Sequence, residues 1–288
     1  MALDKADVKT RVDIADDRWG ETAMQPTGNA AIAQGVSGAQ AVTRVLAVLH
    51  LFRDQRNELG VVEVSKALGL TLSTTHRLIR ALVAADYLAQ NPSTERYHLG
   101  RSALLLGQAA QSNLGLDLVV PVLEEVSVQT GESVNLGLLD GDRVVVVARV
   151  ESRQPLRFCH PPGTRVRLYA TSMGKAVLAF NTDLGEYLES LGEELEALTP
   201  HTLRTKTELR RDLEEIRDRG WSIDNGESIS GVRCVAAPIL DSTGRAHAAV
   251  AVQVPEVRMP DERLEIIGPL IAQAASEIAK VLRPGTGL

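Results

Sequence analysis

Cysteine is scarce in this chain: Cys159 and Cys234 are the two among 288 residues. Two thiols 75 positions apart do not make a disulfide framework, and they fit a reducing compartment better than an oxidising one. Long apolar runs are also missing. Nothing approaches the roughly 18 consecutive apolar residues of a membrane span, and the N-terminus has no apolar signal region. A cytoplasmic protein without a membrane partner is therefore expected. A surplus of positive charge is lacking too, since the formal net charge is −6. At first sight that excludes nucleic acid, but the charge is unevenly spread. Residues 1–39 carry four basic and six acidic side chains, and residues 101–288 carry twenty and twenty-six. Residues 40–100 reverse the sign, with seven basic, five acidic and three histidines. One segment alone is suited to a polyanion, and only modestly.

That segment contains the most informative stretch, Leu70 to Leu82 (LTLSTTHRLIRAL). At 3.6 residues per turn, Leu78 and Leu82 share a face that buries, while Ser73, Thr74, Arg77 and Arg80 fall on the other side. Hydroxyls at a helix start followed by arginines suit a recognition helix in a major groove. The plain alternative is an amphipathic helix with a solvated polar face, with His76 a surface histidine. The flanking sequence favours the former. Gln40 to Arg53 has helical apolar spacing at Val42, Val45, Leu46, Leu49 and Phe52. Val61 to Leu68 reads as a second helix with Val64, Ala67 and Leu68 inward. Gly69 and Leu70 make the turn, and Thr71 or Ser73 caps the next helix. Tyr87 to Leu99 alternates around the turn signal Asn91-Pro92-Ser93, a β-hairpin. Three helices and a hairpin form a winged helix-turn-helix, whose wing brings Arg96 and Thr94 toward the backbone of DNA.

The remainder reads as an α+β unit. Arg101 to Asn113 is an apolar helix, with Leu104, Leu105 and Leu106 together, that needs cover from its own fold or from a second copy. Leu116 to Thr130 is a helix with Leu118, Val119, Val122, Leu123 and Val126 inward and Gly131 as its stop. Strands follow at Val134–Leu139 and Arg143–Val150 around Asp140-Gly141-Asp142. A short buried helix spans Ala176 to Phe180. Thr205 to Glu208 has the spacing of a capping box before a helix ending at Gly220. Further strands are expected at 222–224, 232–240 and 247–254, the last two joined by a turn at 241–244. A long helix runs from Asp261 to Leu282. Hairpins and returning helices imply an antiparallel sheet with helices packed on it.

The run from Ala41 to Gly100 resembles the DNA-binding domain of the IclR family of bacterial transcription regulators. Arg44, the core LGL-x-x-STTHRLI-x-x-L at Leu68 to Leu82 and the closing Tyr97-His98-Leu99-Gly100 carry the likeness. It extends through the second half, to about Leu282. Residues 1–39, polar, acidic-leaning and rich in Ala, Gly, Gln and Thr, are expected to be a disordered tail rather than a packed extra helix. The resemblance implies a winged helix-turn-helix at 40–100, a linker helix at 101–114 and an effector-binding, oligomerising domain at 115–284. That second domain would be GAF-like or profilin-like. Expected DNA contacts are Arg44, Ser73, Thr74, Thr75, His76, Arg77, Arg80 and Arg96. The partner would be a double-stranded, pseudo-palindromic operator gripped by a dimer, with a dimer of dimers expected. The function implied is a ligand-responsive regulator, expected as a repressor of a catabolic operon. No cofactor, metal or catalytic residue is expected.

Residue by residue, the likeness places effector contacts at Ser172, Met173, Asp224, Cys234, Ala251 and Gln253. Ser172 and Met173 lie in Tyr169-Ala-Thr-Ser-Met-Gly-Lys175, which enters a helix whose exposed amides favour an anion. Tyr169 stands where a phosphate loop needs its first glycine. Members that bind small keto or hydroxy acids often carry serine at the positions of Ala251 and Gln253, and have a Gly-Ala pair at those of Ser172 and Met173. A lost hydroxyl and a flexible thioether wall point to a larger or more apolar organic acid, such as an aromatic carboxylate. Plain readings stand beside these: Cys234 as a small core residue and Asp224 as a turn residue. Two other classes remain open, an enzyme using Cys234 with His247 or His160 as base, and a thiol redox sensor using Cys159 and Cys234.

Overall fold

The computed structural model describes residues 40–55 and 57–282. The tail expected at 1–39 lies outside them. Helix α1 (Gln40–Asp54) packs on α2 (Val61–Leu68) and α3 (Leu72–Ala84). Val48, Phe52, Val64, Ile79, Leu82, Leu88 and Tyr97 form the small core they share. One expectation fails here, since Ala67 is exposed; Val42 and Leu46 of the apolar series on α1 are exposed as well. The three-helix core is too thin to cover every apolar position of its amphipathic helices.

The turn between α2 and α3 closes on itself. Ser65 Oγ donates to Leu70 O at 2.7 Å, and Leu70 N donates back to Ser65 O at 3.0 Å. Gly69 at φ 61° sits in the left-handed region that glycine enters without a Cβ penalty. Thr71 then caps α3, its hydroxyl accepting from Thr74 N. Strands β1 (Leu88–Gln90) and β2 (Tyr97–Leu99) pair antiparallel as the wing, and Leu59 adds a bridge to Tyr97.

Helix α4 (Arg101–Leu114) follows, and none of its residues is buried. Leu104, Leu105 and Leu106 are each more than half exposed within the single chain.

The C-terminal half begins with α5 (Leu116–Thr130) and the hairpin β3 (Ser133–Asp140) and β4 (Arg143–Val150). Next come β5 (Arg165–Arg167), α6 (Ser172–Phe180), α7 (Gly185–Ser190) and α8 (Lys206–Arg219). Strands β6 (Ser222–Asn225), β7 (Val232–Leu240) and β8 (Ala246–Pro255) and helix α9 (Asp261–Val281) complete the chain. The strands form one antiparallel sheet in the order β5-β4-β3-β8-β7-β6. Successive side chains of a strand face opposite ways, so each strand feeds two cores. Val134, Leu136, Val235, Val250 and Val252 pack beneath α5 and α9. Ala236, Ala249 and Ala251 face the other way, beneath α6 and α8. The helix α5 stop at Gly131 and the capping box of Thr205 and Glu208 form as expected. Leu118 does not: it points to solvent, while Leu116, Val119, Leu123 and Val126 bury. Strand β5 and helix α7 are too short to be read from periodicity.

Candidate DNA-contact and effector sites

Helix α3 presents Ser73, His76, Arg77 and Arg80 to solvent, with Thr74 half-buried at its start. Arg44 lies half-buried on α1. Thr75 corrects an expectation. Its side chain is fully buried, and its hydroxyl donates to Thr71 O at 3.0 Å. Thr75, Ile79 and Leu82 follow the i, i+4, i+7 spacing of the buried face, so position overrides residue type. The hydroxyl is committed to the first turn of its own helix.

Arg96, its side chain 40% exposed, makes contacts within the fold that the sequence does not signal. Its Nε and Nη2 donate to Glu58 O at 3.0 and 2.8 Å, and Nη2 pairs with Glu63 at 2.6 Å. Glu58 in turn accepts from Asn91 Nδ2 and Thr94 Oγ1, each at 2.7 Å. Those hydrogen bonds hold the Glu58 carboxyl below its ordinary range. Arg96 and Thr94 thus clamp the wing to the loop before α2. Neither glutamate carried a sequence signal, because both act across more than thirty residues of chain.

In the C-terminal half the sheet register brings the expected effector residues together. Asp224 faces Cys234, Cys234 faces Gln253, and Gln253 faces Ser133, a row across β6, β7, β8 and β3. The neighbouring row runs Ser222, Ala236, Ala251 and Asn135. Alternate residues share a side, so both rows lie on the face beneath α6. The start of α6 sits over them: Ser222 Oγ donates to Ser172 O at 2.7 Å. A Cβ at Gly137 would lie 3.0 Å from Met173 Sδ and 2.4 Å from Val144 Cγ1, so glycine is what lets the thioether settle there. All six expected residues are buried, and the α6 amides are buried with them rather than exposed.

Residues 151–164 close this face. Asn135 Oδ1 accepts from Cys159 Sγ at 3.1 Å, and Asn135 Nδ2 donates to His160 O at 3.3 Å and to Gln253 Oε1 at 3.1 Å. Gln253 Oε1 also accepts from His160 N at 3.1 Å. Burial pushes His160 down to about 4, so its ring is neutral near pH 7. Asn135 was missed at the sequence level. Its signal was a lone amide in the apolar strand Val134 to Leu139.

A buried charge cluster lies beside this face. Lys175 Nζ sits 2.6 Å from Glu227 Oε1 and 2.7 Å from Asp212 Oδ2. Desolvation pulls Lys175 down, but Glu227 and Asp212 outweigh it and hold the ammonium above its ordinary value. Burial lifts Glu227 to about 7 despite Lys175, and its Oε2 has no hydrogen-bond partner among the described residues. Asp224, raised by the same burial, caps the following turn. It accepts from the backbone of Glu227 and Ser228 and from the Ser228 hydroxyl. A cleft of about 340 Å³ opens nearby, lined by Lys175, Asp212, Asn225, Glu227, Arg233 and Asp261. None of the six expected effector residues lines it.

The thiol chemistries fit poorly. Burial raises both cysteines, Cys234 well above its ordinary value, whereas a reactive thiol needs a lowered one. His247 stands six residues along β8 from Gln253, the partner of Cys234, or about 20 Å of strand. Among the described residues no cluster of three or more His, Cys, Asp or Glu could hold a metal, and no helix is long and apolar enough to cross a membrane.

Comparison with known proteins agrees with this geometry. Residues 41–92 match the IclR helix-turn-helix domain, and residues 111–280 match the family described as bacterial transcriptional regulator IclR C-terminal. The chain is 35% identical over 255 residues to the HTH-type transcriptional regulator BhcR of Paracoccus denitrificans, covering 88% of this chain and 90% of that one. It is 32% identical over 248 residues to the HTH-type transcriptional repressor AllR of Escherichia coli, covering 85% and 91%. A crystal structure of a transcriptional regulator from Rhodococcus sp. RHA1 superposes with a TM-score of 0.70 at 33% identity, covering 84% of this chain and 98% of that one. With an exposed recognition helix in one half and a covered, polar sheet face in the other, the chain belongs to the IclR family of ligand-responsive bacterial transcriptional regulators.

Proposed function

We propose that this protein is a cytoplasmic repressor of a catabolic operon whose grip on DNA is set by a small aromatic carboxylate. The observation that carries the reading is the convergence of Asp224, Cys234, Ala251 and Gln253 on one sheet face beneath Ser172 and Met173. Met173, settled against Gly137, supplies an adaptable apolar wall there. We set domain limits at 40–100, 101–114 and 115–284; the breaks from wing to α4 and from α4 to the sheet unit support the first two boundaries.

On DNA, Ser73, Thr74, His76, Arg77 and Arg80 would meet base edges and backbone in the major groove, with Arg44 adding charge. Two copies would place two such helices on a pseudo-palindrome. The uncovered leucines of α4 support pairing through that helix, and a dimer of dimers is the assembly we favour.

The coupling has a physical route. Residues 151–164 cover the sheet face and lead directly into β5. Arg165 on β5 pairs with Asp140 at 2.5 Å and lies 4.0 Å from Asp54 at the end of α1. Arg53 of α1 lies 3.6 Å from Asp140. A ligand that shifts this covering segment would bias the placement of α1, provided its affinity differs between the two arrangements. Isothermal titration with 4-hydroxybenzoate and with pyruvate tests the ligand class. Tighter binding of the aromatic acid is expected, and tighter binding of pyruvate would contradict it.

A further inference from the structure

The wing has little positive charge to offer DNA. Pro92, Ser93, Thr94 and Glu95 are its exposed tip, and Arg96 is the one arginine of the hairpin. That arginine is already engaged: Nη2 pairs with Glu63 at 2.6 Å, and Nε and Nη2 donate to Glu58 O. Contact through charge is therefore weak here, and neutral groups have to be placed accurately to meet the DNA backbone. The placing comes from Glu58. Its Oε1 accepts from Asn91 Nδ2 and its Oε2 from Thr94 Oγ1, each at 2.7 Å, on either side of the exposed Ser93. Asn91 and Thr94 in turn shape the tip. Asn91 Oδ1 accepts from Ser93 N at 2.9 Å, and Thr94 Oγ1 accepts from Arg96 N at 3.3 Å. Glu95, at φ 57°, stands in the left-handed region, which a residue with a Cβ keeps where its surroundings fix it. The backbone bridge between Leu59 and Tyr97 anchors the base of the hairpin, and Glu58 anchors its tip.

We propose that Glu58 is a positioning residue for DNA binding: its carboxylate and its backbone carbonyl fix the wing tip so that Ser93 and the neighbouring backbone meet phosphates beside the major groove, and Arg96 serves this clamp rather than a phosphate. The inference rests on the winged helix-turn-helix at 40–100 binding DNA. Charge and position act in opposite directions at Glu58. A carboxylate near a polyanion lowers affinity by itself. A carboxylate that holds the tip in place raises it, because the ordering is complete before DNA arrives. Glu58→Gln removes the charge yet keeps an acceptor for Asn91 and a polar partner for Thr94. Glu58→Ala removes the charge and both bonds. If Glu58 is a surface charge and nothing more, the two variants gain affinity equally. If it positions the wing, the alanine variant is the weaker binder.

The test is fluorescence anisotropy of the full-length wild type and variants over a range of salt, with a thermal melt of each. The probes are a duplex from the protein's own upstream region and an unrelated duplex. Glu58→Ala is expected to bind at least about fivefold more weakly than Glu58→Gln, the scale of a lost hydrogen bond. The ratio should hold on both duplexes, because backbone contacts carry no sequence information. Arg96→Met is expected to lower affinity while keeping the salt dependence of the wild type, whereas loss of a phosphate contact lowers that slope by about one. Equal affinity of folded Glu58→Ala and Glu58→Gln, or a slope reduced by about one in Arg96→Met, would overturn the proposal. If Glu58→Ala fails to melt cooperatively, Arg96→Met decides alone. A wild type that binds neither duplex would overturn the DNA-binding role itself, and the proposal with it.

Discussion

Lys175 and Glu227, fifty-two residues apart in sequence, form a buried ion pair with Nζ and Oε1 2.6 Å apart. Both side chains are almost wholly removed from water, and Asp212 completes the neutralisation of the lysine. The pair ties α6, which carries Ser172 and Met173, to the turn capped by Asp224. Removing one partner of such a pair leaves an uncompensated buried charge. Lys175→Met should therefore destabilise the fold by about 3–5 kcal/mol, read from equilibrium denaturation. A loss below about 1 kcal/mol, the range of surface pairs, would contradict the buried pairing.

The same cluster sets a pH dependence. Glu227 in the folded chain is raised from 4.5 to about 7, so the folded state keeps a proton that the unfolded chain has released. Its contribution is full below about 4.5 and is lost as pH rises through about 7. His160, lowered from 6.5 to about 4, works the other way: its contribution is present above about 6.5 and is lost as pH falls through about 4. Glu227→Gln removes the first of these. The variant's stability should then rise more steeply with pH between these limits than the wild type's. Parallel stability–pH curves for the two proteins would refute the raised pKa.

On the recognition helix, two adjacent threonines and one arginine separate contact from packing. Arg77→Ala should weaken specific DNA binding by about 1–3 kcal/mol if the side chain reads a base. Thr75→Ala loses a buried hydroxyl bond and should lower stability by about 1 kcal/mol while leaving the DNA affinity of the folded protein unchanged. Thr74→Ala, half-buried where its hydroxyl accepts from the capping Thr71 Oγ1 at 3.0 Å, should affect both. Gel-shift titrations beside thermal melts distinguish the three.

Close packing between α9 and the start of β6 gives a further check. A Cβ at Gly268 would lie 2.3 Å from Trp221 Cε2. Trp221 is held by Arg219, whose guanidinium stacks 4.7 Å from its ring, so the indole has little room to retreat. Gly268→Ala should cost about 1–3 kcal/mol through overpacking. An unchanged melting temperature would show that the ring moves freely.

Much of this arrangement was legible in local sequence. Thr71 before α3, Gly69 in the turn, the capping box at Thr205 and the alternating strands each depend on neighbours within four residues. The sheet face could also be read, because Asp224, Cys234, Ala251 and Gln253 sit at strand positions of matching phase. What escaped depends on partners far along the chain. Glu58 became a clamp only when the wing folded back upon it, and Glu227 became a buried acid only when Lys175 reached it. Thr75 looked like a contact because hydroxyls suit DNA, yet helical phase turns it inward beside Ile79. Leu118 was read as core and lies 59% exposed, because α5 meets α9 along a narrower stripe than its apolar sequence suggests.

The central claim, a ligand-responsive DNA-binding regulator, is most directly tested by fluorescence anisotropy of the full-length protein. The DNA would come from its own upstream region, with unrelated DNA as control, at two salt concentrations, with and without 4-hydroxybenzoate. Selective binding on the order of nanomolar is expected, weakened by salt through loss of phosphate contacts and weakened again by the acid. Equal affinity for both DNAs at both salt concentrations, indifferent to the acid, would contradict it.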